Sequence, residues 1–496
     1  MGRIVDLDAT GIRKAIEARK ISAQEAVQAH ISQIERYNPD LNLVVTTDFD
    51  RALETARAAD ESLARGRSWG PFHGVPMTVK DTLKVAGLRC TAGAPELAEY
   101  VADTDASSVS AMRASGAIIL GKTNAPPFAG DVQTFNPVFG QSNNPHDRSR
   151  TTGGSSGGSA GALAAGFGAL EVGSDIGGSI RIPAHYCGVY GHRPSWGVVP
   201  LHGHIPGPPD GINNDDLATV GPLARSVRDL ELALSLMART DPDLGWASYP
   251  ALPKRRAGAS HNYRIGLLFD VPGYPIDEET RTVMTRIEDA LRASRQAQVD
   301  HVSLPFDPRT LMSTYMTLLY AVFAAGMPPD VKEQMKGIAA ATNDHAADVF
   351  SAAARGVSIS HGDWQIFDQI RCHMRRAWRH FFRDYDILLC PVAPSAAPVH
   401  DATSLWERKV TIDSTSVPQL EALFWAAIHA CTYLPSTVIP AGRSSANLPI
   451  GVQVTAGYLE DNTALAFADH LDHLLEAAGL PGETTGQLQA TVSLSA

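Results

Sequence analysis

Between Thr151 and Ala184 the chain reads TTGGSSGGSAGALAAGFGALEVGSDIGGSIRIPA, two Gly/Ser turns on either side of a short apolar run. No other stretch restricts the fold as much. The small residues after Gly157 suit a helix packed tightly against its neighbours, and ALEVGSD suits a strand leaving that helix. Ser155 then sits where the chain turns into the helix N-terminus, among unpaired N–H groups and at the favourable end of the helix dipole. The strand runs into a second glycine turn that carries Ser179 and then Arg181. A flexible linker has polar, aperiodic flanks, which these are not.

The surrounding chain alternates short apolar runs with helical patterns, the grammar of an α/β sheet. Ser22 with Glu25 three residues on forms a capping box for a helix to about Tyr37, and a second helix is predicted from Asp50 to Gly66. GVPMTVKD, GAIILGKT, YRIGLLFD, VDHVSLP, YDILLCPVAP, LPSTVIPAG and LPIGVQVTAG read as strands. Helices are predicted near Ser107–Ser115, at Glu278–Gln296 and around Thr463–Ala478. Thr310–Pro329 is uncharged for 20 residues, long enough to span a bilayer, but its hydroxyls and terminal prolines favour a buried or pocket-lining helix. Thr240–Asn262, rich in Pro, Gly and charge, is the best linker candidate. Nothing compels a second domain in the 496 residues.

Lys and Arg number 42 against 53 Asp and Glu, a formal net charge of −11. No basic block tracks a phosphate backbone, so nucleic acid is not an expected partner. Cys90, Cys187, Cys372, Cys390 and Cys431 are odd in number, widely spaced and without a CxxC pair, and read as reduced core thiols. The N-terminus lacks the apolar stretch of a signal peptide, and a cytoplasmic location is expected.

Two motifs mislead. Gly116–Thr123, GAIILGKT, satisfies a P-loop pattern, yet its four spacers are themselves the strand rather than the cradling loop. GGSSG matches a nucleophile elbow in two frames, with Ser155 or Ser156 as nucleophile. That alternative, an α/β-hydrolase esterase, needs an acid and a histidine downstream. Asp386 and His429 or His470 are the nominees. His185, His192, His202 and His204 cluster between the signature and the next helix; His202 and His204 lie in a Gly/Pro-rich loop without acidic or cysteine companions, and the four read as loop and packing residues, with no metal site.

Lys80 ends the strand GVPMTVKD. It lies 75 residues before Ser155, and Ser155 lies 24 before Ser179. Together Lys80, GGSSGGSAGA and GSDIGGSIRIPA resemble the amidase signature family in order and spacing. GKTN (Gly121–Asn124), NPVFGQSNNPHD, GHRPSWGVVP and DDLATVGPLARSVRDL extend the resemblance, strongly over residues 1–240 and in outline beyond.

The resemblance implies an amidase-signature α/β fold, a large mixed twisted sheet covered by helices on both faces, in one catalytic domain (1–496). Its signature core would span about 70–235 and a variable substrate-side region about 300–415. It implies a Ser-cisSer-Lys triad: Ser179 as nucleophile, Ser155 as bridging hydroxyl after a cis peptide bond, Lys80 as base. The N–H groups of Ile176, Gly177, Gly178 and Ser179 would form the oxyanion hole, and Asp175 with Arg181 would pin the nucleophile loop. Lys80 must be neutral to accept a proton, so burial has to lower its proton affinity. Asp81 must face away from it. No cofactor is implied, and a homodimer is the family-level expectation.

Where many relatives continue GKTN with Met-Ser-Glu-Phe, this chain has Ala125, Pro126, Pro127, Phe128 and Ala129, which implies a roomier, more apolar site around Phe128, Ala129 and Ser155. Near the C-terminus ACTYLP places Ala430 and Tyr433 at positions where relatives carry a different motif. The expected substrate is a small aryl or acyl amide, with esters and carbamates as side substrates sharing the tetrahedral intermediate. A non-catalytic amidotransferase-like subunit is the other alternative.

Overall fold

Alternate residues of the central strands serve different cores, so the sheet at the centre of this molecule is buried on both faces. In the computed structural model, which describes residues 3–205, 214–239, 252–256, 262–341 and 348–480, eleven strands form that sheet. They are β1 (Val44–Thr47), β2 (Pro76–Lys80), β3 (Ile118–Thr123), β4 (Leu170–Asp175), β5 (Tyr190–Arg193) and β6 (Thr219–Ala224), followed by β7 (Tyr263–Leu267), β8 (Ala297–His301), β9 (Ile387–Pro391), β10 (Ser436–Arg443) and β11 (Pro449–Thr455). Their spatial order is β1-β3-β2-β4-β6-β5-β10-β11-β9-β7-β8. β2 runs parallel to β3 and β4, and β7 parallel to β8 and β9. The other neighbours are antiparallel.

Leu223 of β6 and Val438 of β10 pack with Ala160, Leu163 and Ala184, from the helices Gly157–Ala164 and Arg181–Cys187. Their strand neighbours Val220, Ala224, Ile439 and Ala441 join the largest core with Leu230, Ile287 and Leu471, from helices on the opposite face. Each such side chain, fully buried, contributes about 1.5–3 kcal/mol relative to exposure. The helix Gly157–Ala164 is buried at every position. A Cβ on Gly158 would sit 2.4 Å from the Asn124 backbone nitrogen, so glycine is what lets this helix rest directly on the chain after β3.

Most predicted elements are present with shifted ends. The capping box of Ser22 and Glu25 forms, but the helix runs on to Leu41 and stops at Asn42 in the left-handed region. The second helix is Phe49–Ala64. The strand expected in VDHVSLP begins earlier, at Ala297. The uncharged segment forms the helix Pro308–Phe323, capped by Asp307 and continued by a short 3-10 turn at Ala324–Gly326. It packs into a second apolar core with the helices Val349–Val357, His361–Asp384 and Phe424–Thr432. Among the described residues no helix is long and apolar enough to cross a membrane. Of the linker candidate only 252–256 and 262 are described; the rest lies outside the described residues. Four cysteines are buried, whereas Cys372 is only half-buried, because its helix turns that face away from the core.

Candidate active site

All five residues of β2 are buried, and Lys80 at its end is wholly inaccessible. Its Nζ lies 2.6 Å from Ser155 Oγ and 2.9 Å from Ser174 Oγ. Burial among hydroxyls pushes its proton affinity down to about 7, against the pull of the Asp175 and Glu171 carboxyls in the other direction. Asp81 faces elsewhere: its carboxylate accepts from the Thr91 N–H at 3.1 Å and from Lys122 Nζ at 3.2 Å. The fold therefore supplies two buried lysines with opposite roles. Lys122 is held charged beside Asp81 and Lys80 is free to be neutral.

The Gly154–Ser155 peptide bond is cis. The Ser156 N–H donates to the Ser179 carbonyl at 3.1 Å, which binds the first Gly/Ser turn to the second. Ser155 and Ser179 border one cavity, with Ser174, Asp175 and Ile176. Among the described residues no hydrogen bond joins the Ser155 and Ser179 hydroxyls.

Asp175 organises the second turn. Arg181 donates to it through Nε at 3.0 Å and Nη2 at 2.9 Å, and both side chains are wholly buried. Arg181 and Arg193 together hold the carboxylate far below the usual range, more than offsetting its desolvation. The same carboxylate accepts the N–H groups of Gly178 at 2.9 Å and Ile180 at 3.1 Å. The Gly178 N–H is thus committed to Asp175. The N–H groups of Ile176, Gly177 and Ser179 have no acceptor among the described residues. Gly178 adopts φ +99°, and a Cβ there would meet Ile182 at 2.7 Å and Ala426 at 2.8 Å. Its glycine is needed for packing and turn geometry rather than to clear the carbonyl's path. Tyr315 buttresses the turn by donating its hydroxyl to the Ile176 carbonyl at 3.2 Å.

The expected roominess does not materialise. Enclosed space beside Ser179 is about 20 Å³, room for about one water. Phe128, Val322 and Phe323 crowd it. Phe128 and Ala129 both hold positive φ, 49° and 58°, directly after Pro126 and Pro127. His204 and Asp215 also line the cavity. Sequence alone places His204 in a loop; the fold brings it to the cavity wall through a bridge with Leu83. Its buried Nε2 has no partner among the described residues, and burial together with the Lys80 charge pushes its proton affinity down to about 3.

Glu171 was also missed. It sits in β4, fully buried, and its carboxyl meets the hydroxyls of Thr78 and, at 3.4 Å, Thr123. Desolvation pushes it up to about 8, which favours its neutral form. That neutrality matters to Lys80, whose charged form an ionised Glu171 would favour.

The rival esterase triad is not assembled. Asp386 is engaged by Arg264 at 3.0 Å, His429 lies 3.2 Å from Arg181, and His470 packs on Tyr263 and Phe467. Ser156 Oγ donates to the Ser174 carbonyl at 3.2 Å. Of the other histidines, His185 bonds the Ser395 carbonyl and the Gly451 N–H, and His192 bonds Thr437. Among the described residues no group of three or more His, Cys, Asp or Glu could hold a metal ion.

The model of the Amidase family matches residues 25–465. An indoleacetamide hydrolase of Bradyrhizobium diazoefficiens is 31% identical over 490 residues, 95% of this chain and 87% of that protein. A glutamyl-tRNA(Gln) amidotransferase subunit of Koribacter versatilis is 29% identical over 494 residues, 96% of this chain and 99% of that one. A solved amidase crystal structure superposes with a TM-score of 0.77 at 29% identity, covering 96% of this chain and 100% of its own. The chain belongs to the amidase family, with an amidase-signature fold, and is an amide C–N hydrolase.

Proposed function

We propose that this amidase-family chain hydrolyses small apolar aryl or acyl amides through an acyl-enzyme on Ser179. The observation that carries the reading is the contact of the buried Lys80 amine with Ser155 at the rim of the cavity that holds Ser179. Neutral Lys80 takes the Ser155 proton as Ser155 takes that of Ser179, and Ser179 Oγ attacks the amide carbonyl. The oxyanion is met by the free N–H groups of Ile176, Gly177 and Ser179. The proton returns along the same path to the nitrogen, the C–N bond breaks and the amine leaves. Water then repeats the sequence on the acyl-enzyme, releasing the acid.

Phe128, Ala129, Ile176, Ala218, Val322 and Phe323 give the cavity an apolar lining, which supports an apolar acyl or aryl group, as does the relative named for indoleacetamide. Esters and carbamates pass through the same intermediate and are proposed as side substrates.

Treatment with a sulfonyl fluoride followed by peptide mass mapping tests the nucleophile: modification of Ser179 is expected, and modification of Ser155 or Ser156 instead contradicts the reading. A panel of anilides, primary amides, carbamates and esters tests the substrate class. Folded protein inert to the whole panel would point instead to a protein that works only with a partner chain.

A further inference from the structure

A second cavity, of about 400 Å³, opens between the helix His361–Asp384 and the chain after β11, away from Ser179. That volume is in the range of small-molecule sites. Along the helix, Cys372, Arg375, Arg376 and Arg379 recur at i, i+3, i+4 and i+7 and line it, while Arg371, Met374, Trp378 and Phe382 are buried. Arg379 lies four residues from Arg375 and three from Arg376, spacings at which like charges repel, so this stripe carries a cost unless something anionic meets it.

Within the described protein the one carboxylate in the cleft, that of Glu460, is taken by Arg256. Arg371, one residue before the stripe, is paired with Asp216 at 2.7 Å and Asp368 at 2.5 Å. Arg375, Arg376 and Arg379 have no carboxylate partner among the described residues. The guanidinium of Arg375 lies 4.7 Å from the ring of Tyr433 and 5.0 Å from that of Tyr458, held by two aromatic faces with its donor edges unspent. Arg256 enters from the opposite wall, fixed by the Phe382 carbonyl and by Glu460, the one acidic residue lining the cleft among those described. The indole of Trp378, 1% exposed, borders the cleft, and its N–H has no acceptor among the described residues. This cationic hollow stands on a chain with a net charge of −11.

We propose that this cleft binds a small polyanion, a molecule bearing two or more phosphate or carboxylate groups, with Arg375 and Arg379 as its principal donors. Guanidinium forks match both kinds of group in bidentate geometry. The cleft is concave and small, and the charges come from two separate chain segments rather than one basic run.

Calorimetric titration of the full chain with pyrophosphate and, separately, citrate, at ionic strength matched with sodium chloride, tests this. Saturable binding at one site per chain is expected, and the anion that binds more tightly identifies phosphate or carboxylate as the source. The double variant R375Q/R379Q should weaken that binding at least tenfold. R286Q, at an exposed position on another helix, should leave it unchanged. Should the double variant fold poorly by circular dichroism, R379Q alone, at an exposed side chain, carries the same comparison. No saturable binding of either anion beyond chloride, or equal affinity in the folded arginine variants, overturns the proposal.

Discussion

Arg181 grips Asp175 through two of its nitrogens, at 2.9 and 3.0 Å, inside a shell that excludes water from both. The carboxylate is a shared anchor, holding the guanidinium on one side and the Gly178 N–H on the other. Removing its charge strands a buried cation, which typically costs about 3–5 kcal/mol. D175N should therefore lower the urea midpoint strongly at pH 7. Asp175 is depressed below its unfolded value, so its contribution is present above about pH 4 and fades as pH falls further. The gap between D175N and the parent should narrow in acid, and a gap constant from pH 7 to pH 3 would count against this assignment.

Glu171 runs the opposite way. Its carboxyl is raised to about 8, so the stability tied to its proton is full below its unfolded value near 4.5 and is lost as pH rises through 8. E171Q keeps the shape and stays neutral. It should match the parent at pH 4 within about 0.5 kcal/mol, pull ahead as pH rises from 4.5 towards 8 and exceed it at pH 9, while kcat/KM at pH 7 changes less than about twofold. Equal stability loss at both pH values would contradict a neutral carboxyl.

Phe128 and Phe323 crowd the small cavity beside Ser179, so they are rings that an incoming acyl group would meet. Trimming either ring opens that space. F323A should raise kcat/KM for bulky anilides relative to acetamide by about fivefold or more, of the order expected when a one-kilocalorie rearrangement is spared. An unchanged ratio in both F128A and F323A would show that neither ring gates the cavity.

His204 lines the same cavity and carries a buried nitrogen without a partner among the described residues. A neutral hydrogen bond to substrate contributes about 0.5–1.5 kcal/mol, so H204A should lower kcat/KM for primary amides by up to about tenfold without moving the thermal midpoint. Loss of thermal stability with unaltered kinetics would make it a packing residue only.

Eight of the eleven strands of the central sheet were legible because apolar runs are local signals, whereas β1, β5 and β6 were not read as strands; Lys80, Ser155 and Ser179 were singled out by their order and spacing. The order of the strands in space was not legible. β6 lies beside β4, although β5 comes between them in the chain, and no local pattern encodes that pairing. The engagement of the Gly178 N–H by Asp175 was hidden for a similar reason, since it depends on where the carboxylate turns back. His204 looked like a loop histidine because its role comes from the bridge to Leu83. Glu171 did leave a signal. A carboxyl in the middle of a run that otherwise reads as a buried strand needs a partner or a proton. The arginine stripe escaped as well: Arg375, Arg376 and Arg379 share a face only once the helix forms, and Arg256 reaches them from over a hundred residues away.

The catalytic scheme rests on an amine at position 80 that is uncharged when it works. Its burial opposes protonation, and the folded value of about 7 lies below the unfolded value near 10.5, so between those limits folding grows more favourable as pH rises. Carbon-13 NMR of the Lys80 ε-carbon, assigned by comparison with K80M and followed from pH 5 to pH 11, reads the charge directly. A midpoint near 7 that coincides with the acid limb of kcat/KM is the predicted result. A midpoint at 10 or above, with turnover already maximal at pH 8, would contradict the lysine as the base.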